Sequence, residues 1–287
     1  MFCAVGLLAC SSDPDTTTTD GGTDDVATND VSSNDAAATK DVVVPIDAGP
    51  SSERQKPISK DMTTAPNGYY EYLPPGYDGT APVPLMIFWH GVGEDGDGLF
   101  EPDGGGDLHK VPTNGPPKLI AADQWPNSRP FIVLSPQHGM SGCPSASEID
   151  AFITWAIAHY SVDPKRVYLT GLSCGAIGSW AYITVYEAKV VAATLLISGD
   201  PGNAWAADGC GLIKDLALWS VHGTNDQKVA YGPDEAEMTN LLACPKPHAD
   251  VHWTSVDGGP HDVWTQTYDL SAGYGDVYAW MLANPKP

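Results

Sequence analysis

The chain has 287 residues, 14 Lys and Arg against 36 Asp and Glu, and a formal net charge of −22. That balance excludes nucleic acid and other polyanions as partners, because phosphate binding needs clustered cations, and it disfavours docking on an anionic membrane surface. A 42% hydrophobic content with nine Trp is enough to bury a sizeable core.

Residues 1–9 form a short apolar run, and Leu7-Leu8-Ala9-Cys10 resembles the lipobox of bacterial lipoprotein signals. On that resemblance residues 1–10 are a signal segment with Cys10 as the lipidated residue, and the protein is exported to the cell surface or outer membrane. A cleaved export signal and a chance match are the alternatives. Residues 11–56 are rich in Ser, Thr, Asp, Ala and Gly and hold no aromatic residue. Such a segment cannot bury enough apolar surface to offset chain entropy, so it is expected to be a disordered acidic tether. The only membrane attachment expected is the N-terminal lipid, since no segment is long enough to span a bilayer.

The folded domain is expected over 57–287. Apolar runs of strand length occur at 68–73, 85–89, 131–134, 167–170, 191–197, 216–221 and 251–256. Turn signals follow them, among them Pro74-Pro75-Gly76, His90-Gly91, Ser135-Pro136, Ser198-Gly199 and His222-Gly223. Continuous apolar strands are covered on both faces, as in a parallel sheet. Between them, 147–159 places Ile149, Phe152, Ile153, Ala156 and Ile157 on one helix face, with Ser147 near its start. Further helices are expected over 174–187 and 274–282. The alternation predicts an α/β domain, doubly wound and mostly parallel, with helices on both faces.

Gly171-Leu172-Ser173-Cys174-Gly175 has the G-x-S-x-G form, directly after a strand and directly before a helix. In that context Ser173 sits on a sharp turn with its hydroxyl raised above the strand ends. A hydroxyl needs a base, and the order Ser, acid, His predicts where the partners lie. His222-Gly223-Thr224-Asn225-Asp226 follows one strand, and Gly258-Gly259-Pro260-His261-Asp262 follows the next. Asp226 and His261 are therefore expected to complete a triad with Ser173, with Asp200 as the substitute acid. A solvated turn acid and a structural loop histidine are the bland alternatives. The oxyanion donors are expected to be the N–H of Cys174 and that of Val92, with Gly91 as the neighbouring candidate. His90 is expected to order that loop and border the substrate. Trp264 and Trp180 are expected to line the pocket, with core packing as the alternative.

Four cysteines lie beyond the tether, an even number for an oxidising compartment. They allow three pairings. Cys210–Cys244 and Cys143–Cys174 are favoured, with free buried thiols as the alternative. No H-E-x-x-H, C-x-x-C or G-x-x-x-x-G-K pattern is present and no G-x-G-x-x-G follows the first strand-length run, so no metal or nucleotide cofactor is expected.

Beyond these single motifs, an ordered set runs from Tyr69 onward. It includes Tyr72-Leu73-Pro74-Pro75-Gly76-Tyr77, His90-Gly91-Val92-Gly93-Glu94-Asp95-Gly96, and Asn114-Gly115-Pro116-Pro117-Lys118-Leu119-Ile120. It continues through Phe131-Ile132-Val133-Leu134-Ser135-Pro136-Gln137, the 162–170 segment, His222–Asp226 and His261-Asp262-Val263-Trp264. The chain thereby resembles bacterial exported α/β-hydrolases of the feruloyl esterase and polyhydroxybutyrate depolymerase-like group, also labelled phospholipase/carboxylesterase or predicted peptidase. The resemblance implies cofactor-free ester hydrolysis through Ser173, Asp226 and His261. Asp95 stands where the group often has Arg, Cys174 where Met, Ala or Asn is usual, and Ala176 where a second Gly is common. Expected substrates are hydroxycinnamoyl or acetyl esters on polysaccharide, short polyesters and simple acyl esters, free or polymer-linked, taken by a monomer. A serine peptidase of the same fold and a non-catalytic surface binding lipoprotein are the competing readings.

Overall fold

The computed structural model describes residues 54–246 and 248–287. The signal segment, Cys10 and nearly all of the tether lie outside the described residues.

Among the described residues eight strands form one sheet: β1 (Gln55–Ile58), β2 (Tyr69–Tyr72), β3 (Val83–Trp89), β4 (Ile132–Pro136), β5 (Val162–Leu172), β6 (Ala193–Ile197), β7 (Ala217–Gly223) and β8 (Val251–Val256). Their order is β1-β2-β4-β3-β5-β6-β7-β8. β2 runs antiparallel to β1 and β4, and the pairs from β4 through β8 are parallel. Among the described residues seven α-helices accompany them: α1 (Gly115–Ala121), α2 (Ala146–His159), α3 (Cys174–Tyr186), α4 (Ala204–Asp208), α5 (Tyr231–Leu242), α6 (Trp264–Tyr268) and α7 (Val277–Ala283).

The central strand shows why the apolar runs are continuous. Leu85, Ile87 and Trp89 of β3 enter the core beneath α2, α3 and α5, while Met86 and Phe88 enter the core beneath α1, α6 and α7. Strand side chains alternate between faces, and here both faces are dry.

The chain leaves β3 toward β4 on one side, then returns past it to β5 on the other. This reversal opens a crevice beyond the carboxyl ends of β3 and β5, where sheets of this kind bind ligands.

Several expectations need correction. β1 begins at Gln55, inside the expected tether, because Gln55 pairs with Tyr72 and its side-chain amide donates to Pro117 O at 2.8 Å. Ser145, not Ser147, caps α2 by accepting from Glu148 N at 3.2 Å. α7 starts at Val277 because Asp276 accepts from Tyr278 N and Ala279 N. Four helices, α1, α4, α5 and α6, lie outside the expected ones. Pro116 and Pro117 open α1, where proline fits the first turn. The buried face of α5 carries Asp234 and Glu237 beside Met238 and Leu241, so it shows no apolar stripe.

Candidate active site

β5 ends at Leu172 and α3 begins at Cys174, leaving Ser173 at φ 50°, ψ −119° on the turn. Few residues other than glycine occupy positive φ, and strain of this kind collects at functional sites. Its neighbours must be small. A Cβ on Gly171 would lie 2.6 Å from Gly175 C, and one on Gly175 would lie 2.1 Å from Trp89 O. The elbow is thus pressed against the end of β3.

Ser173 Oγ lies 2.9 Å from His261 Nε2, and His261 Nδ1 lies 2.6 Å from Asp226 Oδ2. Asp226 and His261 sit on neighbouring loops that are bonded together: Thr224 N donates to Val256 O, Asn225 N to Gly259 O and Gly258 N to Thr224 Oγ1. The Asp226 side chain is fully buried. Burial works to raise its carboxyl, but the bond from His261 and the amides of Lys228 and Val229 outweigh it, so Asp226 titrates below the ordinary carboxylate range. Asp200, the substitute acid, instead accepts from Gly202 N at 2.8 Å.

The structure separates the other candidates. Cys174 is the first residue of α3, and the first amides of a helix have no partner inside it, so its N–H, directly after Ser173, has no acceptor within the helix. Gly91 comes close to Ser173, since a Cβ there would lie 3.3 Å from Ser173 Cβ. Its N–H, however, donates to Glu94 Oε2 at 3.1 Å, which removes Gly91 as an oxyanion donor. Gly93 N is likewise held by Asp95 Oδ1. Val92, between them, borders the cavity and is 77% exposed.

His90 does not reach the cavity. It is fully buried and stacked on His138 with ring centres 4.3 Å apart. Its Nδ1–H donates to Gly91 O and its Nε2 accepts from His138 N. Burial and the neighbouring imidazole push its pKa down to about 3, so it is a neutral strut joining the loops after β3 and β4. Trp180 is also corrected: it is fully buried in the core under α3, because it lies on the sheet-facing side of that helix.

Trp264 does border the cavity, edge-on to His261 at 5.0 Å. Its Nε1–H donates to Asn114 Oδ1, and Asn114 Nδ2 donates to Glu94 Oε1. A chain of bonds therefore runs from Trp264 through Asn114 and Glu94 to Gly91. The cavity, of about 470 Å³, also includes Ile177, Lys228 and Val229. Glu94 and Asn114 stand inside motifs visible in the sequence, but nothing in the sequence assigns them this wall. Both favoured disulfides are present, Cys143–Cys174 and Cys210–Cys244. The first ties the residue after Ser173 to Cys143 on the cavity edge.

No family model matches this chain, and no curated protein is similar to it in sequence. Solved structures are similar in fold. A thermostable esterase superposes with a TM-score of 0.62 at 21% identity, covering 76% of this chain and 59% of that one. An acylaminoacyl peptidase from Pyrococcus horikoshii gives 0.53 at 12% identity, covering 77% and 40%. The dipeptidyl peptidase 4 of Porphyromonas gingivalis gives 0.54 at 12%, covering 76% and 33%. The chain thus spans less than two thirds of the length of each. Sheet order, elbow and these likenesses together define the fold as that of an α/β-hydrolase.

Proposed function

We propose that the protein is a serine hydrolase of carboxylic esters, working through Ser173, His261 and Asp226. The observation that carries this is the unbroken chain from Ser173 Oγ to His261 Nε2 at 2.9 Å and from His261 Nδ1 to Asp226 Oδ2 at 2.6 Å.

His261 Nε2 takes the Ser173 proton as Oγ bonds to the ester carbonyl carbon. The carbonyl oxygen becomes an oxyanion, held by the N–H groups of Cys174 and Val92. The intermediate collapses, the C–O bond to the alcohol breaks, and the alkoxide takes its proton from His261. Water then attacks the acyl-enzyme, giving one proton to His261 and releasing the acid while Ser173 recovers its proton. Asp226 stays ionised throughout and stabilises the imidazolium. The cavity wall of Trp264, Ile177, Val229 and Leu172 suits an apolar acyl or aryl group, free or linked to a polymer.

Two disulfides fit an exported protein. Attachment through lipid on Cys10 remains part of the proposal, and mass spectrometry of the mature N-terminus tests it.

The activity test compares the full chain with Ser173→Ala on p-nitrophenyl acetate and butyrate. A loss of at least about a thousandfold is expected. Equal rates refute the mechanism. A panel of methyl ferulate, acetylated xylan and polyhydroxybutyrate identifies the ester. Cleavage of peptide anilides in preference to esters would favour the peptidase reading.

A further inference from the structure

Behind Asp226 lies a second buried row. His222, on β7, and Asp234, on α5, are both fully buried. His222 Nε2 lies 3.1 Å from Asp226 Oδ2, the same oxygen that faces His261. His222 Nδ1 lies 2.9 Å from Asp234 Oδ2, which also accepts from Ser220 Oγ at 2.8 Å. Asp226 Oδ1 is independently held by the N–H groups of Lys228 and Val229.

We infer that His222, locked by Asp234, is a positioning residue that aims an Nε2–H at Asp226 Oδ2 and so fixes the carboxylate that orients His261. This rests on the triad proposed above.

The lone pairs decide the proton positions. A bare Nε2 would face the Oδ2 lone pairs at 3.1 Å, which is repulsive, so the ring keeps its proton at Nε2. The Val229 carbonyl, 3.3 Å from Nε2, needs the same proton. The Nδ1 proton is shared with Asp234, and wherever it sits in that bond, Nε2–H still points at Asp226. The charges agree. Burial opposes a cationic His222, but its bond and charge attraction to Asp234 outweigh burial and raise its pKa. Burial raises Asp234 as well, against its bonds to His222 and Ser220, with the charge of Asp200 adding to the rise. Glu237 and Tyr231 complete the surroundings, Tyr231 edge-on to His222 at 5.8 Å. The pair therefore holds its proton to higher pH than either group would in water.

Asp226 Oδ2 thus receives two N–H donors and Oδ1 two more. Four donors leave the carboxylate one orientation, and they explain why a fully buried acid stays ionised.

The variants are His222→Phe, which keeps a ring but no N–H, and His222→Phe/Asp234→Leu, which also removes the carboxylate the first would strand. The expected result on p-nitrophenyl butyrate is kcat lower by about tenfold or more, the value of one charge-assisted hydrogen bond, with KM nearly unchanged. The acid limb of the kcat/KM profile moves up by about half a pH unit, because Asp226 loses a donor that competed with His261 for its charge. A purely structural role would leave that limb in place. On the wild-type chain, ¹⁵N-histidine spectra read the ring directly: Nε2 of His222 is expected to stay protonated from about pH 5 to about pH 9. A bare Nε2 anywhere in that range overturns the inference, as does an unmoved acid limb with kcat intact. Should Ser173→Ala retain full turnover, the triad fails instead, while the His222 spectra still judge its bond to Asp226.

Discussion

Glu94 offers a quantitative test of the site's electrostatics. The residue lies in the loop after β3 and is only 4% exposed. Burial lifts its carboxyl from the ordinary 4.5 to about 7, against the opposing bonds from Gly91 and Asn114 and the charge of Lys118. For an acid lifted in the folded state, ionisation costs stability. The cost begins as pH rises past 4.5 and is complete above about 7. At about 1.4 kcal/mol per tenfold change in proton affinity, the full cost is about 3 kcal/mol. Between about pH 5 and about pH 8 the change is about 2.5 kcal/mol. Glu94→Gln has no charge to bury, so this part of the pH dependence disappears. In a domain of this size, the melting temperature of the variant relative to wild type should rise by roughly 5–10 °C between those two pH values. Thermal unfolding followed by circular dichroism at both pH values measures it. A wild-type-to-variant difference that is the same at pH near 5 and near 8 would refute the assignment of a buried, lifted carboxyl. The cost is borne because Glu94 holds the Gly91 amide beside Ser173.

Other perturbations separate scaffold from chemistry. Gly175→Ala puts a methyl 2.1 Å from Trp89 O, so β3 or the elbow must shift. Turnover should fall more than about a hundredfold while the protein still folds, as steady-state kinetics beside a melting curve will show. Cys210→Ala/Cys244→Ala opens a loop of sequence separation 34 and should cost about 4 kcal/mol in denaturant unfolding with kcat/KM unchanged. Cys143→Ala/Cys174→Ala, with separation 31, should cost a similar amount but also lower kcat/KM, because this bridge borders the cavity. Trp264→Ala should raise KM for aryl esters by about tenfold, and Trp264→Phe by less, in the same assay.

Much of the sheet is legible in the sequence because burial on both faces writes each parallel strand as an apolar run ended by a turn. Residues 251–256 coincide with β8, although that edge strand is only partly buried. Chain order then brings residues 173, 226 and 261 to one edge, since each follows a strand of the same sheet. The choice of Asp226 over Asp200 came from its place after β7, whose loop is bonded to the loop carrying His261. Trp180 was less legible. An aromatic residue two turns beyond the nucleophile can face cavity or sheet, and only the rotation of α3 decides.

The row behind the triad was illegible for a related reason. Apolar periodicity finds helices that bury hydrocarbon, and α5 buries Asp234 and Glu237 instead. A buried carboxylate survives only where donors await it, and those donors, Ser220 and His222 on β7 for Asp234 and Trp205 N on α4 for Glu237, lie 12 to 32 residues away in the chain. Charged positions on a helix that fails the apolar test are therefore where a functional row can hide in such a fold. In this chain the failure of the pattern over residues 231–242 marks the segment that supports Asp226.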